Sequence, residues 1–155
     1  MSNNGLVSLQ SRVPAKETLE RLLAAIATRK LTVFARVDHA AGAASVGLPL
    51  RPTEVVIFGN AKGGTALMQD RQSAGIDLPL KALVFEDADG KAWLTYNDPA
   101  WIAERHSLGA ASAAAVQAMA ELLGAIAPSA FPIVSTASAL VAPRPWRCAI
   151  QAGSL

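Results

Sequence analysis

The sequence predicts an α+β domain of two layers: a mixed but mainly antiparallel sheet with helices packed on one face. Three observations predict it. Short apolar runs alternate with stretches of helical period in the order β-α-β-(short α)-β-α-β-β-α-α. An Asp89-Gly90 pair stands between two strand-like runs, the signal of an antiparallel hairpin. Hydrophobic residues are 52% of the 155 and charged residues 17%, enough for one core and too apolar for a disordered chain. One domain is expected over residues 1–128. A Pro-containing tail over 129–155 is expected to be loosely ordered or packed on a partner.

Leu6-Val7-Ser8-Leu9, within Gly5 to Ser11, is the first strand. Pro14 suits the first position of a helix, where its missing N–H costs nothing. Leu19, Leu22, Leu23 and Ile26 recur at i, i+3, i+4, i+7, an amphipathic stripe. Glu17 and Glu20 sit near the positive end of that helix, and Arg29 and Lys30 close its negative end. Leu31 to Asp38 is the second strand, with Val33, Ala35 and Val37 on one face and Phe34, Arg36 and Asp38 on the other. The Ala-rich segment after Asp38 fits one or two helical turns. Glu54 to Gly59 holds four adjacent large apolar residues and reads as a central strand buried on both faces.

Gly59 to Gly64 reads as a turn, with Gly63 and Gly64 supplying a left-handed conformation, into a helix from Thr65 to Ser73 that Gly75 ends. Lys81 to Glu86 and Ala92 to Tyr96 form the hairpin. Asp98 caps a helix whose first residue is Pro99 and which reaches His106. The last helix runs from Ala110 to Ala127, with Val116, Met119, Leu123 and Ile126 on its apolar stripe and Pro128 as its stop.

Charge excludes several functions. Residues 1–128 carry 12 Lys and Arg against 12 Asp and Glu, so the formal net charge of +2 sits in the tail, on Arg144 and Arg147. Basic and acidic residues alternate, and no basic face gathers to neutralise phosphates, which argues against nucleic acid as a partner. The least charged stretch, Ser107 to Pro143, is too weakly apolar to span a membrane, and no targeting segment is evident. A cytoplasmic protein without membrane contact is the expectation. One cysteine, Cys148, and two histidines, His39 and His106, offer no paired-ligand spacing, so neither a metal nor a cofactor is expected.

Asp38 and His39 put a carboxylate beside an imidazole, the chemistry of acid–base catalysis, although Asp38 equally suits a helix cap. Arg36 is placed to hold an anion or a carboxylate such as Glu54, or to lie on the surface with its stem on the sheet; Arg51 and Glu54 are placed for a local ion pair. Gly59 to Thr65 has the outline of a phosphate loop but carries Thr65 where the pattern needs lysine, so nucleotide hydrolysis is excluded. A small anion on the amides near Gly63 and Gly64 remains as a weaker reading. Tyr96 is the only tyrosine, Asp98 reads as a cap, and Trp93 and Trp101 read as core or interface. His106 is accounted for by its place at a helix C-terminus.

Four blocks carry a resemblance to a known family: Phe34-Ala35-Arg36-Val37-Asp38-His39-Ala40-Ala41-Gly42-Ala43-Ala44, then Leu50 to Asn60, then Gly75 to Lys81, then Asp89 to Pro99. In that order they resemble the domain of unknown function 302 family over Gly5 to His106, and loosely to Ala127. One departure is Ala61, where the family-like block usually has proline after Gly-Asn. The resemblance implies a curved antiparallel sheet flanked by helices, like that of the TATA-box-binding protein, and a homodimer. It implies no activity, and fold likeness to a DNA-binding protein does not carry DNA binding with it.

The functional expectation is therefore a small binding domain, a homodimer that takes a small ligand or a protein partner on its sheet face and loops. The expected pocket lies near Arg36, Asp38, His39, Phe58 and Tyr96, with Gly63, Gly64 and Asp98 on the surrounding loops. The alternative is an enzyme using His39 with Asp38 or Asp98 as acid and base.

Overall fold

A computed structural model describes residues 4–130, with side chains to residue 126; the tail, and with it Cys148, lies outside the described residues. Strands β1 (Leu6–Gln10), β2 (Thr32–Asp38), β3 (Thr53–Gly59), β4 (Leu80–Glu86) and β5 (Ala92–Asn97) form one sheet in the order β1-β5-β4-β3-β2. All four pairings are antiparallel, so the sheet is not mixed. Helices α1 (Ala15–Thr28), α2 (His39–Ser45), α3 (Ala61–Asp70), α4 (Pro99–Arg105) and α5 (Ala113–Ala130) complete the α+β architecture.

The sheet buries one face. Val56 and Phe58 of β3, Leu80, Ala82 and Val84 of β4, and Ala92 and Leu94 of β5 alternate at period two and are all buried. Helix α1 covers them with Leu19, Leu22 and Ile26, and α5 packs beside α1 with Met119, Leu123 and Ile126. On the opposite face Val55, Ile57, Leu83, Phe85 and Trp93 are only partly buried. The expectation that β3 is buried on both faces is thus not met, because Val55 and Ile57 stay partly exposed. A run of four apolar residues here reflects two differently used faces rather than two cores.

A β-bulge between Val33 and Ala35 changes the faces of β2. Val33 pairs with Phe58 and Arg36 with Val56, so Val33 shares the helix side with Arg36 and Asp38, not the face of Ala35 and Val37. All seven residues of β2 are exposed, including Phe34 at 53%.

Other expectations change at element boundaries. Pro14 is the N-cap of α1 with extended backbone rather than its first residue. Helix α3 starts at Ala61 because Asn60 caps it, its Oδ1 accepting from the Gly63 amide at 2.7 Å. Gly63 and Gly64 therefore lie inside the helix and make no left-handed turn. The helix ends at Asp70, and Gly75 belongs to a 3₁₀ turn over Gln72–Ile76. Residues Ala110–Ser112 form a second 3₁₀ turn before α5, and α5 continues through Pro128 to Ala130. A proline there forfeits a bond to the carbonyl of Gly124, which is exposed to water. The caps on α2 and α4 are as expected: Asp38 accepts from Ala41 at 2.8 Å and Asp98 from Ala100 at 2.9 Å.

Two glycines at the same backbone angle separate crowding from conformation. Gly5 and Gly47 both have φ of +74°, but a Cβ on Gly5 would sit 2.2 Å from the Trp101 ring whereas one on Gly47 meets nothing within 4 Å. Gly5→Ala is expected to cost about 2–4 kcal/mol by adding overpacking to left-handed strain. Gly47→Ala should cost only about 1 kcal/mol. Urea denaturation of the two variants checks the difference.

Candidate functional site

Asn60, Gly63, Gly64 and Thr65 at the start of α3 form one wall of a cavity of about 420 Å³. Leu31 and Phe34 of the β2 region, Leu78 to Leu80 at the entry to β4, and Ala115, Ala118, Met119 and Leu122 of α5 form the others. The space exists because small residues meet there. Ala61, Gly63 and Gly64 on α3 face Ala115 and Ala118 on α5, and none of them fills the gap between the two helices. Leu67 and Met68 floor it, and thioethers such as those of Met68 and Met119 adapt to irregular shapes. Among the described residues no charged side chain lines it. Its polar groups are the Asn60 amide, the Thr65 hydroxyl and backbone, and the Asn60 carbonyl oxygen of the side chain is already committed to Gly63.

Asp70 ties the two helical walls together. Its Oδ2 accepts from the Gly109 amide at 2.7 Å and from the Ser112 hydroxyl at 2.6 Å, joining the end of α3 to the turn before α5. These bonds, the Ser112 hydroxyl first, hold its carboxyl below the usual carboxylate range. On the hairpin, Asp87 is held low in the same way, chiefly by the Trp93 indole N–H donating at 2.7 Å.

The residues expected to form a pocket are spread out. Gly63 and Gly64 line the cavity, as parts of a helix. Phe58 is fully buried in the core. Arg36 reaches Glu54 at 2.6 Å across the strand pair, and this partner raises its pKa. Arg51 instead donates to the Glu86 carbonyl at 3.0 Å, so the local pair with Glu54 is not made. Asp38 is occupied as a cap and His39 is exposed at the start of α2. Tyr96 is largely buried on β5, where desolvation raises its pKa. Asp98 follows β5, which is three strand spacings from β2, about 14 Å across the sheet. His39 and Asp98 are therefore not brought into one cleft.

The structure assembles a cluster that sequence reading passed over. His106, with 6% of its side chain exposed, bonds through Nε2 to Asp77 Oδ2 at 2.6 Å, and its Nδ1 meets the Ser73 hydroxyl at 3.1 Å. Arg105 approaches Asp77 Oδ1 at 3.6 Å and lies over the Trp101 ring. The partners stand 33 and 29 residues from the histidine, with no local motif to announce them. Among the described residues no three His, Cys, Asp or Glu side chains gather as metal ligands.

The model of the family described as "Domain of unknown function DUF302" matches residues 7–126. The chain belongs to that family. Its fold is that of a crystal structure of the uncharacterized conserved DUF302 protein from Bacillus stearothermophilus: TM-score 0.72, 16% identity, 82% of this chain and 98% of that one. The chain is also 52% identical over 124 residues to a protein named fluoride-specific ion channel FluC 1 from Brucella suis, covering 80% of this chain and 49% of that one. A protein of the same name from Brucella abortus matches at the same identity with 46% of its length covered. The chain thus spans about half the length of these curated relatives. Among its described helices none is long and apolar enough to cross a membrane.

The Asp70 clamp gives a pH test. A carboxyl whose folded pKa lies below its unfolded value, about 4, adds stability that is complete above that value and is lost as pH falls through the folded pKa. Asp70→Asn is expected to be less stable than the parent chain at pH 7, with the gap closing below about pH 4. Urea midpoints measured from pH 7 to pH 2 check it.

Proposed function

We propose that this domain binds a small, uncharged, largely apolar ligand in the cavity between α3, α5 and the entry to β4, and that it does so as a homodimer. The observation that carries the reading is the cavity itself, about 420 Å³ and lined by no charged side chain among the described residues. That volume lies within the roughly 300–1,000 Å³ of small-molecule sites, which pair apolar linings with a few polar groups. Here Asn60 and Thr65 supply those groups, and the Met68 and Met119 thioethers let the walls adjust.

The dimer reading rests on the β2 edge. An edge strand exposed along its whole length carries unpaired N–H and C=O groups, and such edges usually carry charges that forbid pairing. On β2 the arginine is neutralised by Glu54 and the aspartate is a cap, leaving Val33, Phe34 and Val37 uncovered. The apolar surface continues into Val46 and Leu48, which are 70% and 63% exposed. A two-fold pairing of β2 with its copy would satisfy the backbone and cover that surface at once.

The cavity test uses an environment-sensitive apolar dye with the full chain. Saturable binding is expected, and Ala118→Trp, at an exposed position on the rim, should weaken it at least about tenfold while leaving the thermal midpoint within a few degrees. Binding unaffected by the tryptophan would overturn the reading. For the dimer, light scattering of the full chain should give twice 16.1 kDa. Val37→Lys should give the monomer mass.

A second reading is favoured by the Brucella relatives. In them the segment like this chain shares a polypeptide with about as much again, under the name of a fluoride channel. We assign conduction in those proteins to the remainder, since no described helix here spans a membrane. This domain is then a partner of such a channel. Co-purification of the full chain with the remainder of the Brucella suis protein tests it, and failure to associate sinks it.

A further inference from the structure

We propose that Ser73, His106 and Asp77 form a nucleophilic site that cleaves small carboxylic esters. The site is separate from the cavity, and the proposal stands or falls independently of the ligand-binding reading.

The hydrogen bonds set the roles. An ionised carboxylate only accepts, so the 2.6 Å contact with Asp77 Oδ2 places the hydrogen of the neutral imidazole on His106 Nε2. That leaves the Nδ1 lone pair facing the Ser73 hydroxyl at 3.1 Å, within direct proton-transfer reach. Arg105 approaches the other Asp77 oxygen, so the carboxylate is held from two sides. The imidazole is buried and fixed, while Ser73 itself is exposed and open to a substrate. A nucleophile in contact with a base that a third group orients is the proton-transfer part of the arrangement used in serine acyl transfer. In a 3₁₀ turn residues three apart share a face, which puts Ile76, 72% exposed, on the face of Ser73. It offers a rest for a short apolar acyl group.

The reaction balances within these groups and water. Ser73 Oγ bonds to the acyl carbon while its proton passes to His106 Nδ1. Collapse of the tetrahedral intermediate breaks the ester C–O bond, and the departing alkoxide leaves as the alcohol with that proton. Water then attacks the acyl-serine, giving a proton to Nδ1. The carboxylic acid departs as Ser73 Oγ takes the proton back.

The test treats the full chain with a fluorophosphonate, which phosphonylates an activated serine with loss of fluoride, and with p-nitrophenyl butyrate. Peptide mass spectrometry should find the phosphonyl group on Ser73, formed at least tenfold faster than on exposed Ser107, which lacks a histidine partner. Ser73→Ala should abolish ester turnover while the chain stays folded, as read by circular dichroism. His106→Gln should lower labelling of Ser73 at least tenfold. Because that change removes a buried group, Ser73→Cys is the second arm: its thiol should react with iodoacetamide at pH 7 at least tenfold faster than that of Ser107→Cys. Asp77→Asn should slow labelling, and Asp77→Glu should restore part of it, a recovery that a merely structural carboxylate would not give. Labelling of Ser73 no faster than Ser107, together with no faster alkylation of the cysteine, overturns the proposal.

Discussion

Val56, Phe58, Ala82, Val84 and Leu94 turn to the same side of three adjacent strands, and burying that side under α1 and α5 is the constraint on which the rest of the molecule depends. Each large side chain so buried contributes about 1.5–3 kcal/mol. Because strands have period two, committing these residues inward commits Val55, Ile57, Leu83, Phe85 and Trp93 outward. The partly covered second face and the uncovered β2 edge follow from that choice. Helix α1 makes the main contact with that side, and α2 buries none of its residues.

The cavity is the place where this covering is incomplete. Helices α3 and α5 meet near the ends of β3 and β4, and alanines and glycines make up half of what they contribute to the lining. Large residues at the same positions would have closed the gap with ordinary core packing. Asp70 shows that the gap is not slack, since two short hydrogen bonds from Gly109 and Ser112 hold the helices at their spacing. A void between rigid walls persists, whereas one between mobile walls collapses.

What was legible in the sequence was whatever is decided within about one turn of chain. The stripe of Leu19, Leu22, Leu23 and Ile26, the Asp98 cap before Pro99, and the Asp89-Gly90 turn with Gly90 at φ +75° all depend on neighbours a few residues away. The four family-like blocks were legible for the same reason. The bulge at Phe34 was not, because a bulge is a property of a strand pair and no residue in β2 marks it. The cap at Asn60 was missed because Gly63 and Gly64 signal a turn by composition, whereas the cap is a bond from the Gly63 backbone N–H to the Asn60 side chain. A Cβ on Gly63 would stand 3.2 Å from Asn60 Oδ1. Of the expected site residues Arg36 found its carboxylate and Gly63 and Gly64 line the cavity, which lies between elements whose packing no local pattern encodes.

The segment from Asp70 to Leu80 joins these features. Asp70 fixes one cavity wall, Leu78 to Leu80 form another, and Ser73 and Asp77 between them hold His106. Met68, on the cavity floor, packs against the backbone at Gly75, where an added Cβ would lie 3.2 Å from its sulfur. Asp70 and Asp77 are held by hydrogen-bonding partners from Gly109, Ser112 and His106, whereas Leu78 and Leu80 line the cavity. The arrangement has a dielectric reason: the carboxylates keep water or hydrogen-bond donors around them, and the cavity is left without a charge that would need either. One short stretch of chain thereby serves two environments, and its irregular geometry, a 3₁₀ turn followed by an extended entry to β4, is what lets adjacent residues face opposite ways.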